Sequence, residues 1–351
     1  MQINSKIKNY TVSQSDDYHF IHEIKKEPHA FFVVDRNVYL LYNSLFSDIP
    51  FLFLLDAIEE NKTMETVLKI AEQLMKLPVK RNIHLVSVGG GITQDITGFL
   101  AHILYRGVRW TSIPTTLLSC CDSCIGGKTA VNFMYCKNML GAIYPADNVW
   151  INPHFLQTLS EQDYLSGLGE VLKSSIISGI EEISNFKKNI ISLLARDQKT
   201  LVESINTSLQ LKKRYIEKDE FDKGIRITLN YGHTFAHALE TVTQYKIPHG
   251  TAVAIGICAA NNVSYNRGLL SHTLNNCINK LVKKIVKIDF SEIDLPIDHL
   301  IEIMKKDKKQ TDDHLSLILL QEENGLTFNI HHNILKKEIA DAVQFVIQYL
   351  K

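Results

Sequence analysis

The sequence predicts an α/β domain followed by a mainly helical, all-α one. Three observations carry that expectation. Short apolar runs alternate with helix-period segments as far as residue 152, and beyond it apolar residues recur at three- and four-residue spacing over long stretches. The 351 residues also exceed what one small hydrophobic core accommodates, so the expected domains are 1–152 and 153–351.

Residues 31–35 and 51–55 are nearly unbroken apolar runs, the pattern of strands covered on both faces. Over residues 64–76, Val67, Ile70, Ala71 and Leu74 fall on one side of a helix. Residues 83–88 read as a strand running into Gly89-Gly90-Gly91, and 92–105 as the helix after it. Residues 109–113, closed by Pro114-Thr115-Thr116, and 148–152 complete the strands. Strands separated by helices imply a parallel sheet with helices on both faces. The second domain offers helices at 161–180, 197–219, 233–245 and 250–267. Its exception is a pair of strand-like runs, 314–320 and 326–330, around Asn324-Gly325, which is a hairpin signal. A cleft between the two domains is the expected active site.

Composition narrows the function. Lysine plus arginine and aspartate plus glutamate number 38 each, so no overall field favours nucleic acid or an anionic membrane. The first residues lack the apolar core of a secretory signal and no apolar run reaches membrane-spanning length, which makes the cytoplasm the expected compartment. Six cysteines do not suggest a disulfide framework. Cys121 and Cys124 form a CxxC with no second pair to complete a zinc ribbon, and with Cys120 they read as small buried thiols.

Three constellations carry chemistry. Glu170, the histidines His233 and His237 four residues apart, and His249 offer a carboxylate and imidazoles from separate segments, suited to an open divalent-metal site. The spacing alone leaves open which of His233 and His237 is the ligand. Gly89-Gly90-Gly91 with Asp95 stands where a strand turns into a helix, and Asp35 and Asn37 close an earlier strand; both suit a dinucleotide. Finally, Asp122 to Thr129 and Lys137-Asn138 set lysines in a glycine-rich stretch that is not a P-loop, and 305–309 is a second basic cluster.

Together these stretches resemble the 3-dehydroquinate synthase family, the NAD- and metal-dependent sugar phosphate cyclases. The resemblance runs through Gly89-Gly-Gly-Ile-Thr-Gln-Asp95, Arg106-Gly-Val-Arg109, Ile113-Pro-Thr-Thr116, Asp122-Ser-Cys-Ile-Gly-Gly-Lys-Thr129, Lys137-Asn-Met-Leu-Gly-Ala142, Glu170-Val-Leu-Lys173, Leu229-Asn-Tyr-Gly-His-Thr-Phe-Ala-His-Ala-Leu-Glu240, His249-Gly250 and Met304 to Lys309. It implies a dehydroquinate synthase-like fold, with a Rossmann-like nucleotide-binding domain before a helical metal- and substrate-binding domain. Glu170, His233 and His249 then match ligands of zinc or cobalt, and His237 a phosphate- and proton-handling residue. Asp35, Asn37, Glu59, Lys62, Gly89, Gly90, Gly91, Asp95, Thr115 and Thr116, with Asp122 and Lys137, match the NAD site. Asp122, Lys128, Lys137, Asn138, Lys173, Lys212, Arg226, Asn230 and Lys308 match the pocket for a phosphorylated, carboxylated sugar. Arg106 matches an arginine that reaches the substrate phosphate of the neighbouring subunit, which implies a homodimer.

The reaction so implied converts 3-deoxy-arabino-heptulosonate 7-phosphate to 3-dehydroquinate in the shikimate pathway. Oxidation at C5 acidifies the neighbouring proton, phosphate leaves by β-elimination, the hydride returns, and ring opening precedes an aldol closure, with no net redox. The collected cations fit a substrate bearing a phosphate and a carboxylate. Gln94, Cys136, Asp222 and Thr251 depart from the usual family residues. They keep open a sister cyclase of secondary metabolism, of the aminodehydroquinate synthase or 2-deoxy-scyllo-inosose synthase type. A metal-dependent polyol dehydrogenase is a second rival; it has no need of the phosphate-binding cations and accumulates NADH. A binding protein without catalysis is a third.

Overall fold

The computed structural model describes residues 1–78, 81–134, 136–290, 293, 295–305 and 315–351. They fall into two compact units, Met1–Leu159 with Lys212–Phe221, and Ser160–Leu211 with Asp222–Lys351.

The first unit is built on a seven-stranded sheet. Its strands are β1 (Gln2–Ile3), β2 (Tyr10–Gln14), β3 (Ala30–Asp35), β4 (Leu52–Leu55), β5 (His84–Gly89) and β6 (Arg109–Pro114); a separate hairpin, β7 (Lys128–Phe133) and β8 (Cys136–Ile143), precedes the last strand, β9 (Asn148–Ile151). The order across the sheet is β1-β2-β9-β6-β5-β3-β4. Every neighbouring pair is parallel except β1 with β2. β3 and β5 are buried almost throughout because apolar residues cover both faces. Phe32, Val34, Val86, Val88 and Ile113 pack there with Phe20, Ile21 and Phe155, and the Phe20 ring stacks on Trp150 at 5.0 Å. The helices of this unit are α1 (His19–Lys25), α2 (Arg36–Leu41), α3 (Asn43–Phe46), α4 (Met64–Met75) and α5 (Gly91–Ile103). The chain passes from β3 to β4 on one side and returns to β5 on the other. The sheet therefore reverses its winding between β3 and β5, the position at which open α/β sheets bind ligands beyond their strand ends.

The second unit is helical. It holds α6 (Glu161–Ser178), α7 (Ile180–Leu194), the first part of α8 (Gln198–Lys218), α9 (His233–Val242), α10 (His249–Asn266), α11 (His272–Ile285), α12 (Ile297–Lys305) and α13 (Lys336–Leu350). The antiparallel pair β10 (Leu317–Glu322) and β11 (Leu326–His331) surrounds the Asn324-Gly325 turn. Residue 314, where the expected hairpin begins, lies outside the described residues. α10 is apolar or small on every side and is buried from Gly250 to Ser264, so it forms the centre of this unit.

Some elements went beyond expectation. Gly179, at φ +119°, ends α6 and turns the chain into α7. The β7–β8 hairpin occupies the glycine- and lysine-rich stretch, where polar side chains hide the alternation expected of strands. β1, β2, α1, α2, α3, α11, α12 and α13 also lie outside the expected elements.

Candidate active site

In the first unit, the residues matched to NAD gather at the carboxyl ends of β3, β5 and β6. Asp35 ends β3, and its Oδ1 accepts the backbone N–H of Asn37 at 2.9 Å, capping α2. Gly89 ends β5, where an added Cβ would lie 2.4 Å from Thr93 Oγ1; at Gly90 it would meet Thr116 Cγ2 at 2.9 Å. The turn into α5 thus has no room for side chains and leaves its backbone open to a ligand. Thr115 is buried after β6, and the Thr116 hydroxyl shares a hydrogen bond of 2.7 Å with Ser119.

A polar network joins this turn to the hairpin. The buried Lys62 ammonium donates to Asp95 Oδ2 and to Asn138 Oδ1, both at 2.5 Å. Burial pushes the Asp95 carboxyl up, against the opposing pull of Lys62. Asn138, held at φ +53°, donates its N–H to Asn132 Oδ1 at 2.9 Å. Asn132 in turn donates Nδ2 to Glu59 Oε1 at 2.8 Å and its own N–H to the Lys62 carbonyl at 2.7 Å. Lys137 Nζ stands 3.7 Å from Glu59 Oε1. Asp122 sits in a π-helical turn, Ser119–Ser123, and takes Lys212 Nζ on both Oδ1 (2.8 Å) and its carbonyl (2.7 Å). Lys128 is exposed at the start of β7, and Arg106 is exposed at φ +67° in the turn after α5.

The second unit brings Glu170, His233 and His249 together, with ligand atoms all within 4.8 Å of one another. Glu170, on α6, is fully buried; its Oε1 lies 3.6 Å from His233 Nε2 and 3.4 Å from His249 Nε2. Lys173, one turn on, places its ammonium 2.5 Å from the other oxygen, Oε2. Glycines beside the ligands set this spacing. A Cβ on Gly169 would lie 2.0 Å from the Gly250 carbonyl oxygen, and one on Gly250 would lie 1.9 Å from that of Ser166. α6 and α10 therefore cross backbone to backbone next to Glu170 and His249. Gly256 meets the Gly232 carbonyl in the same way, at 2.1 Å, and so seats α9 and His233 against α10.

The donor set fits a divalent metal. His233 Nδ1 faces the Tyr231 carbonyl at 3.3 Å and His249 Nδ1 faces Glu240 Oε2 at 3.1 Å. In neutral rings those Nδ1 atoms carry the protons, which turns both Nε2 lone pairs towards the Glu170 carboxylate. Lone pairs so arranged can be shared by one cation, and nitrogen–oxygen sets of this kind accept zinc or cobalt. A tetrahedral ion with bonds of about 2.0–2.1 Å would space its ligand atoms by about 3.4 Å, close to the 3.6 and 3.4 Å from Glu170 Oε1 to the two Nε2 atoms. Burial lowers the affinity of His249 for a proton, but Glu240 and Glu170 outweigh it and push its pKa up to about 10, a sign of how strongly this position favours positive charge. His237 falls in a second set, with Glu240 and His249. Arg226 is buried and Asn230 half-buried on the 3₁₀ turn Ile225–Asn230. Lys308 lies outside the described residues.

Three neighbours of the site, Asn132, Glu240 and Gln94, have no role in the expected site; Gln94 donates Nε2 to the Ser123 carbonyl at 2.6 Å and accepts from Ser123 Oγ at 3.2 Å, tying α5 to the turn that carries Asp122. For Glu240 a signal existed, since His233, His237 and Glu240 recur at helical spacing along one face of α9. Cys120, Cys121 and Cys124 are buried, and burial drives the Cys124 thiol up to about 12, so it does not act as a thiolate.

Comparison with known proteins covers most of the chain. A family model described as 3-dehydroquinate synthase N-terminal matches residues 52–166, and one described as 3-dehydroquinate synthase C-terminal matches 167–310. A 3-dehydroquinate synthase of Dictyoglomus turgidum is 40% identical over 267 residues, 75% of this chain and 74% of its own. Among solved structures, the 2-epi-5-epi-valiolone synthase of Streptomyces hygroscopicus, with NAD+ and Zn2+ bound, aligns with a TM-score of 0.83 at 23% identity over 97% of both chains. A 2-deoxy-scyllo-inosose synthase complexed with carbaglucose-6-phosphate, NAD+ and Co2+ aligns with a TM-score of 0.82 at 22% identity over 99% of both. At those identities the two structures show a shared fold.

Proposed function

The chain belongs to the 3-dehydroquinate synthase family, and from that premise we propose that it cyclises 3-deoxy-arabino-heptulosonate 7-phosphate to 3-dehydroquinate, eliminating phosphate with no net redox. The observation that carries the reading is the convergence of buried Glu170 with the Nε2 atoms of His233 and His249. We carry over NAD and zinc or cobalt, which the two related cyclase structures hold. When bound, the metal stabilises a substrate alkoxide and NAD accepts and returns a hydride.

The remaining work belongs to side chains. Lys173 occupies Oε2 of Glu170 and so leaves Oε1 directed at the two imidazoles. We assign Lys128 and the exposed Arg106 to the substrate phosphate, Arg106 from the partner protomer of a homodimer. Arg226, planar and buried, suits a carboxylate, and Asn230 a hydroxyl. We assign His237 to proton transfer, and Asp35, Asn37, Glu59, Lys62, Asp95, Thr115 and Thr116, with the three glycines, to NAD. Asp122, Lys137, Asn138 and Lys212 then place the substrate, and Lys308 is carried over as a further substrate cation. Holding one substrate through successive geometries is catalysis by positioning. The basic residues favour this substrate over the uncarboxylated sugar phosphates of sister cyclases and over the polyols of dehydrogenases. No helix among the described residues is long and apolar enough to cross a membrane, and we place the enzyme in the cytoplasm.

The test is phosphate release from that heptulosonate with NAD and zinc or cobalt, while NADH absorbance is followed. Phosphate with dehydroquinate and no lasting NADH supports the reading; lasting NADH without phosphate makes the protein a dehydrogenase. Lys128→Ala and Arg226→Ala should each lower turnover at least about 100-fold with the far-UV circular dichroism unchanged, as expected when a charged contact to an anion is lost. Full activity in either variant would remove that residue from the anion site.

A further inference from the structure

We propose that Glu240 is a positioning residue that fixes the tautomer and ring orientation of His249, and so aims its Nε2 at the metal. The inference rests on the metal reading of Glu170, His233 and His249. His249 opens α10 with its side chain 35% exposed, and its ring stands 5.2 Å from that of His233 and 6.2 Å from that of His237, so hydrogen bonding at Nδ1 decides which nitrogen faces Glu170. Its Nδ1 lies 3.1 Å from Oε2 of Glu240, whose side chain is 7% exposed. An ionised carboxylate can only accept, so in the neutral ring that binds a metal the proton resides on Nδ1 and the lone pair on Nε2, 3.4 Å from Glu170 Oε1. One imidazole thus stands between two carboxylates, and the hydrogen bond to the first decides which nitrogen meets the second.

The fold supplies this partner by sequence spacing. Glu240 stands seven residues after His233 on α9, two helical turns along the same face. A single helix therefore delivers one ligand directly and orients another that lies on α10. Glu240 also belongs to a set with His237 and His249 whose ligand atoms lie within 4.8 Å of one another. Were a metal to sit there on Nδ1 of His249, the proton would move to Nε2 and the lone pair facing Glu170 would be lost. The orienting role and a ligand role for Glu240 thus exclude each other at one metal per chain, which gives the test its edge.

The full-length protein, stripped of metal, is titrated with Co2+ at pH 7.5. Visible d–d absorption reports the ligand geometry, and calorimetry reports stoichiometry. Wild type is expected to take one cobalt per chain. Glu240→Ala should keep that stoichiometry and bind about 10- to 100-fold more weakly, the range typical of a lost hydrogen-bond partner behind a metal ligand. Glu240→Gln, nearly isosteric and retaining an acceptor oxygen, should lose less, and Glu240→Asp should recover part of the affinity. Unchanged affinity and spectrum in Glu240→Gln and Glu240→Ala would overturn the proposal. So would two cobalt ions in wild type falling to one in Glu240→Ala, which would make Glu240 a ligand. If wild type bound no cobalt, the metal reading itself would fail and this inference with it.

Discussion

In the second unit each of the three converging residues stands next to a glycine in sequence: Gly169 before Glu170, Gly232 before His233, and Gly250 after His249. Each of those glycines sits where two backbones touch, so the main chain sets the distances between the ligands. The first unit works differently. Glu59, Lys62, Asp95, Asn132 and Asn138 hold one another through side-chain hydrogen bonds of 2.5 to 2.9 Å, and most of them are also residues assigned to NAD or substrate. One site has its geometry imposed by helix crossings; the other holds itself in place. The difference predicts that damage in the second unit appears first as lost stability, and in the first unit as lost affinity.

The largest effect should come from Gly250→Ala. Its Cβ would meet a backbone oxygen at 1.9 Å, an obstacle that no rotamer change removes. Overpacking costs about 1–3 kcal/mol where side chains can yield, and more where they cannot. A loss of at least about 3 kcal/mol should lower Tm by about 6–12 °C, with a fall in cobalt affinity alongside. Gly268→Ala serves as the control: at φ +71°, with nothing within 4 Å of its Cβ, it bears backbone strain alone and should cost about 1 kcal/mol. Equal losses in the two variants, by thermal melting, would remove the helix crossing as the cause.

A smaller and different effect is expected from Asn132→Ala, which opens the hub of the first unit. The Glu59 carboxylate and the Asn138 N–H lose their shared partner, and hydrogen bonds of this kind are worth about 1 kcal/mol each. The dissociation constant for NAD, followed by fluorescence titration, should rise about tenfold, while Tm falls by only a few degrees. A collapse in Tm with intact NAD affinity would erase the contrast between the two units.

The contrast also explains what could be read from the sequence. β3 and β5 were legible because they are covered on both faces, and their apolar runs are a direct imprint of that environment. The second-unit cluster was legible from its carboxylate and imidazoles, and the glycines beside them record the close backbone contacts that position them. Spacing alone does not choose between His233 and His237, since both project from one face of α9; the family resemblance picks His233, and the place of Glu170, on another helix, separates the two in the structure. Likewise the β7–β8 hairpin was hidden because Lys128, Asn132, Lys137 and Asn138 interrupt the alternation that betrays a strand. Asn132 is hidden for a related reason, as its partners Glu59 and Lys62 are distant in sequence. α11 shows the opposite case: Leu274, Ile278, Leu281, Val282 and Ile285 do carry helical spacing, which buried Asn275 and Asn279 interrupt.

The smallest effect sharpens the comparison at the far end of the same sheet. His84 begins β5, at the end opposite Gly89, and is buried with Nδ1 2.8 Å from Glu27 Oε2 and Nε2 2.8 Å from Thr111 Oγ1. It is a side-chain lock like the Asn132 hub, but it stands among none of the residues assigned to a ligand. Burial, aided by Arg109 and opposed by Glu27, holds its pKa below the usual 6.5. The unfolded chain therefore binds a proton at a higher pH than the folded one. The stability His84 contributes is complete above about pH 6.5 and is lost as pH falls from there through the folded value. Urea denaturation at pH 7.5, 6.5 and 5.5 should show stability declining on acidification, with a shallower decline in His84→Gln and NAD affinity at pH 7.5 unchanged. An unaltered pH slope would mean that Glu27 keeps the ring's proton affinity normal despite burial. Weakened NAD binding in this variant would show instead that the sheet transmits strain along β5, and that the first unit's networks are not the local locks the comparison takes them to be.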